Sequence, residues 1–387
     1  MTEVVVVGGG IVGLSTAWHL ARRGTRVTVL EAGEPLRFTS RAAAAMIAPV
    51  GYVEPAGDAF LALRSDAQRY WTAFADELRA DTGVDPAYRT PGSLVAIDDV
   101  AGLARVETVR ALHAELGIAS EIVDGAAATR LEPLLRNAIG GLYVPGDGCV
   151  DPDATGRALV AGITAAHGTV RSGAAVAGLC RDGDRIVGVR LADGTRIGAD
   201  LVVLAAGAAS TRIGGIPAEV TFPLRAVKGQ SVLLRDDPTA PTVRTVLRAG
   251  INLVPRGDGR LMVAGTVEDG ADPASDANTA AGMHEVLSRA IASVPAVAGL
   301  AVDAWCVGQR PVAPDDAPVL GPSGADGLWW ATGHSYYGIL LSGLTGRLLA
   351  AAVHGDRAAG ERIALFSADR FRTGSPRYTS LTHDRHA

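Results

Sequence analysis

Residues 4–33 read VVVVGGGIVGLSTAWHLARRGTRVTVLEAG. Residues 4–7 are a run of β-branched side chains, long enough for a strand buried on both faces. Gly8, Gly10 and Gly13 follow at once in the order G-x-G-x-x-G. Residues 14–23 read as a helix, with Leu14, Ala17, Trp18, Leu20 and Ala21 apolar at helical spacing. Gly24 is placed to end it, residues 26–30 form a second apolar strand, and Glu31 stands at its end. A strand, a glycine turn, a helix, a strand and an acid in this order make the βαβ unit that binds a dinucleotide. Gly8 permits the tight turn, Gly10 lets a pyrophosphate approach the backbone, and Gly13 lets helix and strand pack closely. The helix N-terminus offers N–H groups and partial positive charge to phosphates. Glu31 is placed to accept hydrogen bonds from ribose hydroxyls. The plain reading, a glycine-rich turn in another α/β fold, has all the flanking elements against it. The motif alone leaves FAD and NAD open.

Working outward, the 387-residue chain exceeds the roughly 100–200 residues of one domain, so two domains are expected. With 48% apolar and 20% charged residues it can bury a sizeable core. A net charge of −5 without a basic block argues against a nucleic-acid partner. Cys149, Cys180 and Cys306 lie far apart with no C-x-x-C, which points to a reduced, cytoplasmic setting. No run is read as approaching the ~18 apolar residues of a membrane span. The eight histidines show no metal-ligand spacing, so no metal is expected.

After Glu31, the small-residue run through Thr39, Ser40, Ala44, Ala45 and Met46 is either an alanine-rich helix start or a surface pressed against a flat cofactor ring. Helices are expected over residues 59–82, 100–116, 152–167, 283–294 and 339–353. Strands are expected over 92–97, 139–144, 176–179, 185–191, 195–197, 201–207, 229–234, 250–255 and 260–265. The buried strand 201–207 ends in small residues at Gly207, where it could abut a cofactor. Residues 220–302 change to alternating segments, the signature of an antiparallel sheet. The fold class is therefore α/β: a Rossmann-like dinucleotide-binding domain plus a second α+β domain with a largely antiparallel sheet. The first is assigned residues 1–85, 145–219 and 305–370, the second 86–144 and 220–304, and 371–387 a loose tail.

Several stretches together resemble one family. They are the N-terminal unit, Val227-Lys228-Gly229-Gln230, Leu253-Val254-Pro255-Arg256, Gly308-Gln309-Arg310-Pro311, Pro318-Val319-Leu320-Gly321, and Ala331-Thr332-Gly333-His334 with Gly338-Ile339. In order and spacing over essentially the whole chain they resemble the D-amino-acid oxidase family of FAD-dependent enzymes, above all its glycine oxidase branch.

The resemblance implies FAD lying across the first domain, with its ring at the domain interface. Carried over, Gly8, Gly10, Ile11, Val12, Gly13, Glu31, Ala32, Thr39, Ser40, Ala44, Ala45, Met46, Val176 and Gly207 would hold it. Gly333, His334, Ser335, Tyr336, Tyr337, Gly338, Ile339 and Leu340 would complete the site beside the ring. The last helix begins there, and its dipole would favour negative charge on the reduced flavin. Arg310 stands where the family binds the substrate carboxylate, a task suited to a planar cation that stays charged when buried. Its bland alternative is a structural pair with Asp315 or Asp316. The implied activity is oxidation of a small amino acid or carboxylated amine of the glycine, sarcosine or D-amino-acid type. Hydride passes from Cα to flavin N5, the imine hydrolyses, and O₂ is reduced to H₂O₂, with positioning rather than a side-chain base carrying the rate.

Two positions depart from the glycine oxidase pattern: Asn252 replaces a tyrosine and Tyr336 an arginine. Arg310, Tyr336 and Asn252 are therefore the expected catalytic and substrate-choosing residues, with packing as the alternative for Tyr336 and Tyr337. Some relatives tether flavin through a cysteine; that position is Gly308 here, so FAD is expected to be non-covalent. The main rival is a flavin dehydrogenase passing electrons to a quinone or carrier. A nicotinamide-only enzyme would not need the returning G-H…G segment, and a flavin hydroxylase would show G-D there. Partners are thus a small amine or amino acid and O₂ or another acceptor; a homo-oligomer stays open.

Overall fold

The computed structural model describes residues 2–50, 58–235, 243–270 and 275–372. Strand Glu3–Val7 sits near the middle of a six-stranded sheet in the order Val319–Pro322, Leu328–Thr332, Leu201–Leu204, Glu3–Val7, Arg26–Leu30, Thr169–Arg171. Every pairing is parallel except that of Val319–Pro322 with Leu328–Thr332. The turn after the first strand needs its glycines. Gly8 has φ +109°, and a Cβ there would fall 2.5 Å from the Ala205 carbonyl oxygen. A Cβ on Gly13 would fall 2.0 Å from the Gly8 carbonyl oxygen, so helix and strand meet only without it.

Helix Ile11–Arg22 starts earlier than the apolar spacing suggested. It ends in a Schellman motif: Gly24 N–H donates to Ala21 O at 2.9 Å and Thr25 N–H to Leu20 O at 3.2 Å. Its inner side, with Leu14, Trp18 and Leu20, packs on helices Asp58–Thr82, Pro152–Ala165 and Gly338–Val353. Trp18 and Trp71 both meet Phe74 edge to face, with centroids 5.6 and 5.1 Å apart.

The expectation that no run approaches a membrane span is corrected here. Residues 335–353 are long and apolar enough to cross one, at a mean hydropathy of 1.3. The window is 67% buried, with the helix packed on Ile11–Arg22 and Asp58–Thr82, which makes it the central helix of a folded core. A core helix surrounded on most sides is apolar almost all round for the same reason as a membrane helix.

The second large sheet has eight strands in the order Ala301–Val312, Arg225–Arg235, Arg260–Ala264, Asn252–Pro255, Val246–Arg248, Ser93–Ile97, Gly140–Val144, Glu121–Asp124. It is antiparallel except where Val246–Arg248 runs parallel to Ser93–Ile97. One face, with Leu94, Val232, Leu247, Leu253 and Val263, packs on helix Ala280–Ser293 through Val286 and Ala290. The other faces the segment 39–46: Ser231 Oγ donates to Ala42 O at 2.9 Å.

Several boundaries differ from the sequence expectation. Residues 250–255 are not one strand, because Gly250 takes φ +69° and turns the chain between Val246–Arg248 and Asn252–Pro255. The 201–207 strand stops at Leu204, and Gly207 opens a 3₁₀ turn at φ +56°. The alanine-rich run is a single helical turn, Thr39–Ala42, followed by extended chain into strand Met46–Ile47. Phe371, assigned to the loose tail, stacks on Phe222 at 5.9 Å, while residues 373–387 lie outside the described residues. The division into a cofactor and a substrate domain remains our proposal. Within it the boundary expected at residue 304 falls inside strand Ala301–Val312 and is better drawn after that strand.

Candidate active site

A cavity of about 1520 Å³ opens between the two large sheets. Of the residues singled out in the sequence, all but Gly13, Gly333 and Leu340 line it. Those three lie off its wall for structural reasons. Gly13 is spent on helix–strand contact, as above. Gly333, at φ +74°, turns the chain against Val319. Leu340 is a core side chain whose carbonyl accepts the Trp71 indole N–H at 2.8 Å.

At the nucleotide end, Glu31 accepts from Gly9 N–H at 2.7 Å and Gly33 N–H at 2.9 Å, which ties the glycine turn to the end of the second strand. Ser40 Oγ accepts from Ile11 N–H at 3.0 Å, so one donor of the helix N-terminus is already used within the chain. The small run that follows is held from outside the cavity. Arg256 is buried, and its guanidinium donates to Ala43 O at 3.0 Å, Ala44 O at 3.1 Å and Val150 O at 2.6 Å. Burial holds its pKa below the usual arginine value. This clamp was missed from the sequence as a site feature, although Arg256 stood in a quoted motif. An arginine reaching three carbonyls distant in sequence has no local signature.

Arg310 lies on strand Ala301–Val312, paired with Val227 and two residues along from the rung of Gly308 with Gly229. The guanidinium lies flat on Gly229: a Cβ there would fall 2.4 to 2.6 Å from its Nη2, Nη1 and Cζ atoms. Its Nη1 donates to Lys228 O at 3.3 Å and Thr266 O at 3.2 Å, and Cζ sits 4.8 Å from the centroid of the Tyr336 ring. Opposite, Gly308 lets the chain approach so closely that a Cβ would fall 2.7 Å from Thr39 Cα. Thr39 Oγ1 donates to Gln309 O and accepts from Gln309 N–H, both at 2.9 Å, pinning the residue before Arg310. The bland pairing of Arg310 with Asp315 is not what forms. Asp315 pairs with Arg370 at 2.7 Å and accepts Ala317 N–H at a turn.

The two tyrosines separate. Tyr336 covers Arg310, whereas the Tyr337 ring packs on Arg64 at 4.4 Å and on Phe60 edge to face at 5.7 Å. Asn252 lines the cavity and donates from Nδ2 to Ala264 O at 3.1 Å. His334 is 2% exposed, its Nε2 lies 3.2 Å from Thr345 Oγ1, and burial pushes its pKa down to about 3. It is therefore neutral, and the cation at this end is Arg310. The start of helix Gly338–Val353 borders the same space.

The donor set suits FAD. A glycine turn opens into one end of the cavity, and a flat wall of Ala43, Ala44 and Ala45 lines its middle. The start of helix Gly338–Val353 lines the same space, which is larger than the roughly 300–1,000 Å³ of a drug-sized pocket.

Comparison with known proteins agrees. The family model described as FAD dependent oxidoreductase (DAO) matches residues 3–352. The chain is 32% identical to a glycine oxidase of Pseudomonas aeruginosa, over 91% of this chain and 95% of that protein. It is 30% identical to a D-amino acid dehydrogenase of Methylobacterium radiotolerans, over 91% and 96%. Its fold matches the crystal structure of glycine oxidase from Geobacillus kaustophilus with a TM-score of 0.82 at 27% identity, covering 92% of this chain and 95% of that one. The glycine turn, the alanine wall and the family match together make this chain a member of the DAO family of FAD-dependent oxidoreductases.

Proposed function

We propose that this enzyme oxidises a small amino acid or amine bearing a carboxylate, with Arg310 binding the carboxylate. The observation that carries the reading is the seat of Arg310. A guanidinium flat on Gly229 and under Tyr336 shares one cavity with the nucleotide turn. Bound FAD supplies a hydride acceptor. The chain's own residues orient the substrate. Arg310 offers a planar fork to a carboxylate, and its stacking on Tyr336 reduces the freedom lost on binding. Asn252, whose Nδ2 is bound to Ala264 O, has an amide oxygen to accept from the substrate amine. Neutral His334 adds no second positive charge that would oppose an incoming amine. The small run from Ala43 to Ala45, fixed by Arg256, gives the cavity an apolar wall. Gly308 has no room for a tethering side chain against Thr39, which supports non-covalent FAD.

A second reading, a dehydrogenase passing electrons to another acceptor, has the D-amino acid dehydrogenase likeness in its favour. One experiment addresses both. Purified enzyme is given glycine, sarcosine and D-alanine, and peroxide release is compared with dye reduction. Arg310→Ala should keep its yellow flavin and lose turnover of carboxylated amines. Undiminished turnover in that variant would remove Arg310 from the role.

A further inference from the structure

The seat of Arg310 contains a bulge in the sheet. Strands Arg225–Arg235 and Arg260–Ala264 pair in register as far as Ser231 with Ala264, and the two chains bridge again at Lys228 with Glu268. Between these pairs Gly229 and Gln230 face Gly265, Thr266 and Val267, so one side carries an extra residue. In a regular antiparallel ladder the Gln230 N–H would donate to a backbone carbonyl of the neighbouring strand. Here it donates to Thr266 Oγ1 at 2.6 Å. The Thr266 carbonyl is thereby released from the ladder, and it accepts from Arg310 Nη1 at 3.2 Å. Lys228 O accepts from both Glu268 N–H at 2.9 Å and Arg310 Nη1 at 3.3 Å. One of these acceptors belongs to the bulge and the other to the bridge that closes it.

Strand alternation puts Lys228 and Gln230 on the face away from Gly229, where helix Ala280–Ser293 packs. A buried polar network holds the bulge from that side. Thr266 and Gln230 are each 1% exposed and Lys228 3%. Gln230 Nε2 donates to Glu268 Oε1 at 2.6 Å and to Thr279 Oγ1 at 3.0 Å, and Gln230 Oε1 accepts from Thr279 N–H at 2.8 Å. Thr279 caps helix Ala280–Ser293 by accepting from Gly282 N–H at 3.1 Å. Glu268 lies 3.5 Å from Lys228 Nζ and accepts from Thr266 Oγ1 at 3.4 Å. The Thr266 hydroxyl thus accepts from one member of the network and donates to another. A satisfied network of this kind holds one geometry. Valine has the shape of threonine but can neither accept nor donate there.

We propose that Thr266 is a positioning residue for substrate binding: its hydroxyl closes the bulge on Gln230, and its carbonyl then fixes the guanidinium of Arg310. The proposal rests on the function proposed above, in which Arg310 binds the carboxylate. Thr266 acts through Arg310. Without the hydroxyl the bulge loses its tie to Gln230, the carbonyl is free to turn, and the planar fork loses its set direction.

The test uses the FAD-loaded enzyme and follows flavin absorbance during titration with acetate, with acetamide as the uncharged control of the same shape. Thr266→Val should weaken acetate about tenfold and leave acetamide binding and flavin content unchanged. Thr266→Ser keeps the hydroxyl and should bind acetate within about twofold of wild type. In an Arg310→Ala background, Thr266→Val should change acetate binding by less than about twofold, because its effect passes through Arg310. In turnover of a carboxylated amine, Thr266→Val should raise KM while kcat stays within about threefold. Equal acetate affinity in wild type and Thr266→Val, equal weakening of acetate and acetamide, or a weakening that persists without Arg310 overturns the inference. Loss of acetate binding in Arg310→Ala would then leave the proposed function standing. Acetate binding that is indifferent to Arg310→Ala, or absent from the wild type, overturns both. Should Thr266→Val fail to fold, Thr266→Ala decides by the same criteria.

Discussion

Replacing Gly229 by alanine should cripple substrate binding without touching a charge. The new Cβ would fall 2.4 Å from Arg310 Nη2, 2.5 Å from Nη1 and 2.6 Å from Cζ. Carbon contacts settle at roughly 3.5–4.0 Å, so the guanidinium must move by about 1 Å or more. Gly229 has no positive φ, so the strand itself accepts alanine, and the displaced atoms are the far end of a flexible side chain. The fold should survive. The displaced guanidinium loses its bonds to Lys228 O and Thr266 O and its place under Tyr336. A hydrogen bond to a charged group is worth about 1.5–3 kcal/mol. Misplacing the carboxylate grip should therefore raise KM roughly 10- to 100-fold. Steady-state kinetics on a carboxylated amine, with flavin content from absorbance and a thermal midpoint, make the measurement. A KM within about twofold of wild type, at unchanged flavin content, would refute the seat; so would loss of flavin with an unchanged KM.

Three further outcomes follow from the same geometry. Arg256→Met strands the carbonyls of Ala43, Ala44 and Val150, at about 1–3 kcal/mol for each buried group left unpaired. FAD affinity should fall with stability, and tight flavin retention at an unchanged melting temperature would contradict the clamp. Burial pushes the imidazoles of His19 and His334 down to about 3 and His113 down to about 4, and pushes Asp147 up to about 6. Between about pH 6 and 4 the unfolded chain holds one more proton at each histidine and the folded chain one more at Asp147. Burial also raises the Glu132 carboxyl, which offsets part of the histidine effect, but the three histidines outweigh the two acids, so stability should fall on acidification through this range, and urea midpoints that stay level would refute this. Acid precipitation should release the flavin into solution, since Gly308 offers neither a thiol nor space for one; colour that stays with the pellet would show a covalent bond.

Much of the fold was legible because its rules are local. The glycine turn, the Gly24 stop and the period of helix Asp58–Thr82 each depend on residues close in sequence. Local rules failed where context decided. Gly250 looks like any glycine inside an apolar run, and its turn follows from the pairing of Leu247 with Leu253. The short strands Glu121–Asp124 and Thr169–Arg171 carry too few apolar residues to announce themselves, and they exist as edges of sheets built by other segments. Leu340 sits beside the site residues in sequence, yet its side chain turns into the core with its helix.

The sequence by itself pointed to a dinucleotide site at Gly8, Gly10 and Glu31, because a turn, a helix start and an acid lie within thirty residues. It could also single out Arg310 by resemblance. Only the tertiary structure decided what Arg310 rests on. Gly229 supplies its seat, Thr39 pins its neighbour, Tyr336 covers it, and Arg370 removes Asp315 as its partner. It also brought Arg248 into the same cavity. Gly229, Arg248 and Arg310 come from three strands of one sheet, and strand pairing is what brings them together. Pairing across a sheet joins segments far apart in the chain, and no local pattern encodes it.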